Sequence, residues 1–185
     1  MKVVSLPPLR TGPVMRVILF RHGPAYDRNA ERWPDDRGRP LTPRGESRSR
    51  RAARGVLRLE GELRAVLTSP LARCVRSAEI VAEAAGLADA PEALDALEPR
   101  GSWRDVLLRL GEEPPVGGVA LVGHEPDLGK LAGVLLFGAP AALPIKKAGG
   151  CAIEFDGPVT PGTGRLRWFL PARALARVAA SRSKV

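Results

Sequence analysis

Three apolar runs of this chain each pass directly into residues able to do chemistry. Phe20 leads into Arg21-His22-Gly23, Leu67 into Thr68-Ser69-Pro70 with Arg73 close behind, and Val122 into Gly123-His124-Glu125. The only two histidines, His22 and His124, both fall in this set. A histidine at a strand end is ordinarily a hydrogen-bonded structural residue, so the weight lies in its company of arginines rather than in either ring alone. A phosphoryl group requires cationic donors on its equatorial oxygens and an in-line nucleophile. Arginine supplies a planar fork that matches phosphate, and neutral imidazole is a competent nucleophile. The pattern predicts His22 as nucleophile with Arg21 and Arg73 as the forks, their positive charge lowering the proton affinity of His22. Gly23 is read as a bare position beside the nucleophile, open to the approach of a phosphoryl group. Arg73 gains from the free amides and dipole of a helix start. Arg76, one turn further on, is the competing register.

These groups converge only if the three runs are neighbouring strands, and the intervening sequence supports that. Met15 to Phe20 reads as a buried strand. After a long polar loop containing Trp33, Thr42-Pro43 supplies an N-cap and first-turn proline for a helix to about Leu59, with Ser49, Ala52, Ala53, Val56 and Leu57 inward. Ala65 to Leu67 reads as a second strand. Ser69-Pro70 reads as the cap and first-turn proline of a helix that carries Leu71, Cys74, Ala78 and Val81 and stops at Gly86. Residues 91–97 fit no single element; Trp103 to Leu110 reads as helix. Val119 to Val122 reads as a third strand, followed by a helix of Leu128, Leu131, Ala132 and Leu135. Cys151 to Phe155 and Leu166 to Leu170 form an expected hairpin, and Ala172 to Ala180 an expected last helix. Alternating strands and helices imply an α/β fold, a three-layer α/β/α arrangement with a mainly parallel central sheet whose strand ends carry the ligand site.

Residues 1–14 hold three prolines and no periodicity, and are expected to be a flexible extension before one domain spanning 15–185, with Met15 a possible alternative start. A chain of 185 residues, 44% hydrophobic, suits one core. No apolar run approaches the roughly 20 residues of a membrane span, and no secretory signal stands at the start, so a cytoplasmic location is expected. Two cysteines, Cys74 and Cys151, suggest neither a disulfide framework nor a metal cluster. A net charge of +9 favours an anionic partner, although a coding bias toward arginine and alanine gives the same excess. The arginine-rich stretch from Arg44 to Arg58 has no interleaved aromatics and reads as a solvated helix face rather than a nucleic-acid surface. Lys146 and Lys147 read likewise as solubilising charges.

Together the ordered motifs resemble one family. Arg21-His22-Gly23 after a strand, Pro40-Leu41-Thr42 before a helix with Gly45, Ser69-Pro70-Leu71-Ala72-Arg73 after a second strand and Gly123-His124-Glu125-Pro126 after a third are similar to the histidine phosphatase (phosphoglycerate mutase-like) superfamily, in particular the small SixA-type phosphohistidine phosphatases. The resemblance spans roughly Arg16 to Phe155. It implies a phosphohistidine intermediate on His22, phosphate binding by Arg21, Arg73 and His124 with Gly23 beside them, and no metal or cofactor. Pro24 departs from the acidic or polar residue common after this motif. The implied substrate is a phosphorylated protein, phosphohistidine above all; a small phosphorylated metabolite is the alternative, and a catalytically silent phosphate or nucleic-acid binder a third. Glu98 is the expected proton donor, with Glu125 the competing candidate or a helix-start charge. An acid matters for alkyl esters and hardly at all for phosphohistidine, whose leaving group is better. Arg39 and Glu125 are placed at the substrate rim.

Overall fold

The computed structural model describes residues 14–114 and 116–181, so nearly all of the expected N-terminal extension lies outside them. Six strands form one sheet: β1 (Met15–Arg21), β2 (Ala65–Thr68), β3 (Glu92–Ala93), β4 (Gly117–Gly123), β5 (Gly150–Phe155) and β6 (Arg165–Leu170). Their order is β3-β2-β4-β1-β5-β6. The first four in that order run parallel, β5 lies antiparallel to β1, and β6 antiparallel to β5. The expected hairpin therefore extends one edge of the sheet.

Alternation along β1 divides the core. Ile18 and Phe20 face a layer built by α1 (Pro43–Glu60), α2 (Ala72–Ala85) and α5 (Ala172–Ala180), through residues such as Val56, Val81 and Leu175. Val17 and Leu19 face a second layer with α3 (Trp103–Gly111) and α4 (Asp127–Phe137), through Val106, Leu110, Leu131 and Leu135. Residues buried on both sheet faces explain why β1 and β4 read as continuous apolar runs rather than alternating ones. No helix among the described residues is long and apolar enough to cross a membrane.

Several helix ends follow local chemistry. Thr42 accepts the Gly45 amide at 2.9 Å and Pro43 opens α1; Gly86 ends α2 in the left-handed conformation that glycine tolerates. The start of α2, like those of α4 and α5, has no side-chain cap. Its cap is Leu71, with no side-chain cap bond, because the Ser69 hydroxyl is used elsewhere. The unassigned stretch 91–97 holds β3 and a single 3-10 turn over Asp95–Leu97.

Candidate active site

Register delivers the two histidines to one place. Arg21 pairs with Gly123 as β1 and β4 end, and the ladder continues through the His22 amide to the Gly123 carbonyl at 3.2 Å. On the other side of β4, Thr68 pairs with Val122 and the Ser69 amide donates to the Val122 carbonyl at 2.9 Å. His22, His124, Ser69 and Arg73 thus meet at the carboxyl ends of three adjacent parallel strands, and all four are buried. The imidazole centroids are 5.1 Å apart.

Each ring is fixed by a specific neighbour. Nδ1 of His22 lies 2.7 Å from the Gly23 carbonyl oxygen, which can only accept. Nδ1 therefore carries the proton and Nε2 keeps the lone pair. Nε2 of His124 lies 2.9 Å from Ser69 Oγ and 3.3 Å from Cys74 Sγ. Burial holds both imidazoles neutral, with pKa values pushed down to about 3. Desolvation is the largest cause in each, and the Arg21 and Arg73 charges, the cause expected from sequence for His22, add to it. Burial also raises the Cys74 thiol to about 12, so it is a packed thiol and not a thiolate.

The arginines resolve the register. Arg73 is 3% exposed and inside the site, whereas Arg76 pairs on the surface with Glu46, Glu79 and Glu83. Arg73 Nη1 donates to the Asp36 carbonyl at 2.9 Å, and its Nη2 lies 3.2 Å from Asp36 Oδ2. Asp36 also accepts from Arg39 Nε at 2.5 Å, and Arg39 Nη1 donates to the Tyr26 carbonyl at 2.6 Å. Two buried guanidiniums thus share one carboxylate, and the site keeps a cationic excess. Arg21 Nη1 donates to the Ile145 carbonyl at 2.8 Å. The Nε atoms of Arg21 and Arg73 are buried without a hydrogen-bond partner.

Four expected site residues have partners of their own. Arg39 is a buried brace for Asp36 and not a rim residue. Gly23 is also required by packing: a Cβ there would run into Ser49 Oγ and the Gly45 carbonyl, and its amide donates to Ser77 Oγ at 3.1 Å. Glu98 is bonded to Arg37 at 2.9 Å. Glu125 accepts the Ile145 amide at 3.1 Å, and burial raises its pKa, while the first-turn charge of α4 is Asp127. Among the described residues, no carboxyl group is hydrogen-bonded to either histidine, and no group of three or more His, Cys, Asp or Glu is arranged to hold a metal ion. Sequence reasoning missed Asp36 and the role of Ser69. The Asp36 signal was faint, an acidic residue three before Arg39 in a loop; Ser69 was visible but read as a cap.

Comparison with known proteins gives a consistent picture. The family model of the histidine phosphatase superfamily (branch 1) matches residues 17–100. An uncharacterised protein of Picosynechococcus sp. is 41% identical over 138 residues, 73% of this chain and 82% of the relative. Among solved structures, the protein histidine phosphatase SixA complexed with tungstate superposes with a TM-score of 0.74 at 28% identity, covering 87% of this chain and 99% of that one. A mycobacterial glucosyl-3-phosphoglycerate phosphatase shares the fold at a TM-score of 0.61 and 18% identity, covering 85% and 99%. With its two histidines and Arg21 at the ends of parallel strands and Arg73 in the first turn of α2, this chain belongs to the histidine phosphatase superfamily and is a hydrolase acting on phosphoryl groups.

Proposed function

We propose that the protein removes a phosphoryl group through an intermediate on His22 Nε2, and that its substrates are those whose leaving group departs without a delivered proton, phosphohistidine first among them. The observation that carries this reading is the bond from His22 Nδ1 to the Gly23 carbonyl, which sets the tautomer and leaves Nε2 as the lone-pair nitrogen. The unpaired Nε donors of Arg21 and Arg73 would be satisfied by phosphoryl oxygens, as would the remaining Nη hydrogens. When Ser69 donates its hydroxyl proton to His124 Nε2, His124 Nδ1–H is left to donate to the same anion.

In this mechanism Nε2 forms a bond to phosphorus as the bond to the leaving group breaks, and the leaving group takes the electron pair. The Gly23 carbonyl stabilises the imidazolium so formed. Water then displaces His22 from phosphorus, giving inorganic phosphate. Glu98 is paired with Arg37, and Glu125, whose pKa burial raises, accepts the Ile145 amide, so we assign neither as the proton donor. That favours a phosphoramidate over an alkyl ester. The SixA likeness supports a protein-borne phosphohistidine. A second reading, a small phosphorylated molecule, is favoured by a cavity beside His124.

The test is incubation with a histidine-phosphorylated protein carrying radiolabelled phosphate, beside phosphoramidate and ethyl phosphate. Acid-labile label should map to His22, phosphoramidate should turn over far faster than ethyl phosphate, and His22→Ala should abolish both labelling and turnover. Label on serine or cysteine, or undiminished turnover by His22→Ala, would overturn the mechanism.

A further inference from the structure

A cavity of about 410 Å³ opens between the Asp95–Leu97 turn, α3 and α4, with His124 in its wall. The remaining wall is mostly apolar, with Arg100, Asp127 and Lys130 as its charged members. Leu97, Val106 and Leu131 are core side chains that also line this space, and Trp103 brings an indole to it. Arg104, which is not part of the lining, covers one face of that indole, its guanidinium carbon 4.4 Å from the ring centroid. The volume lies at the small end of the range of small-molecule sites, about 300 to 1,000 Å³. It accommodates one or two rings and is too small for a folded partner.

The chemistry points to the same kind of occupant. In-line displacement puts the leaving group on the far side of phosphorus from His22, and this cavity meets the site at its other histidine. The nearby carboxyl groups already accept hydrogen bonds, Asp127 from the Arg100 amide, Glu98 from Arg37 and Glu125 from the Ile145 amide, which disfavours protonating an alkoxide, a poor leaving group on its own. A phenoxide is far better, since a phenol ionises near pH about 10. Indole and leucine surfaces offer a ring flat apolar contact, and Asp127 is engaged by the Arg100 amide and by Lys130.

We propose that this cavity is a leaving-group site for a small aromatic phosphate, with the ring against Trp103 and Leu131 and the phosphoryl group between Arg21 and Arg73. The proposal rests on the phosphatase reading above and refines its small-molecule branch. As Nε2 of His22 bonds to phosphorus, the phosphorus–oxygen bond to the ring breaks, and the phenoxide leaves with the electron pair and takes a proton from solvent. Water then cleaves the nitrogen–phosphorus bond.

Binding and turnover are measured separately. By calorimetry, 1-naphthylmethylphosphonate should bind the wild-type protein at least about tenfold tighter than methylphosphonate, on the order of 1.4 kcal/mol. Trp103→Ala should remove most of that selectivity and Trp103→Phe restore much of it. By steady-state kinetics, Trp103→Ala should lower the ratio of 1-naphthyl phosphate to phosphoramidate turnover by a similar factor. Equal phosphonate affinities in the wild type, with phosphoramidate still hydrolysed, overturn the cavity assignment and leave the phosphatase reading standing. Selective naphthyl binding with no substrate turned over does the reverse. Unchanged 1-naphthyl phosphate turnover in Trp103→Ala, whatever the rate on a histidine-phosphorylated protein, overturns the small-molecule site.

Discussion

Arg73 and Arg76 sit one turn apart on α2, carry the same charge and differ in surroundings by almost everything that matters to an anion. Arg76 spends its donors on three surface glutamates, which exposed geometry makes weak individually. Arg73 is enclosed, held by Asp36 and left with an unpaired Nε. Each charge-assisted bond lost from a buried site costs about 1.5–3 kcal/mol, roughly 10- to 100-fold in rate or affinity. Arg73→Ala should therefore lower kcat/KM for phosphoramidate about 100-fold or more, and Arg76→Ala less than about threefold. Steady-state assays of the two variants, with circular dichroism to check folding, decide it; equal losses would refute the assignment of Arg73. Cys74 illustrates the converse at the same scale. It touches His124, yet burial keeps its sulfur protonated, so proximity to the site confers no reactivity.

At the scale of elements, the site depends on α1 approaching the sheet end closely, and glycines permit that approach. A Cβ at Gly45 would strike the Pro24 carbonyl, and one at Gly55 would strike the Leu175 carbonyl of α5. Helix propensity alone says that Gly→Ala inside α1 gains about 1 kcal/mol. Here the obstacle is backbone and cannot rotate away, so overpacking of about 1–3 kcal/mol wins and the sign reverses. Gly55→Ala should lower the urea midpoint, while Gly111→Ala, at the end of α3 with open space around it, should not. A stabilised Gly55→Ala protein would show that α5 moves aside freely. On the arginine face of α1, Arg50 pairs with Glu46 and Glu83, and Arg51 donates to the Ser47 hydroxyl, so part of that face is tied down within the fold.

For the whole molecule, burying two neutral histidines couples stability to pH. In the unfolded chain both imidazoles take up protons as pH falls through about 6.5, while in the native state they stay neutral until about 3. The unfolded state binds more protons in that interval, so stability is full above about 6.5 and declines as pH falls below it. Between pH 7 and 5, above most carboxylate titrations, the urea midpoint should drop. Nitrogen-15 NMR should show both rings neutral at pH 5, with His22 protonated at Nδ1. Two ordinary titrations near 6.5 would refute this. The alternation of apolar strands with capped helices was legible in the sequence because periodicity and caps are local: β1, α1, α3, the closing hairpin and α5 stand close to where the residues placed them. The motifs at strand ends, and the family they resemble, were likewise legible because each is a short contiguous string. The competition between Arg73 and Arg76, the commitment of Glu98 to Arg37, the brace of Asp36 on two arginines and the use of Ser69 by His124 were not. Each depends on partners 37 to 61 residues apart or on which of several acceptors a donor meets, and only the tertiary fold, through strand register and loop packing, makes that choice.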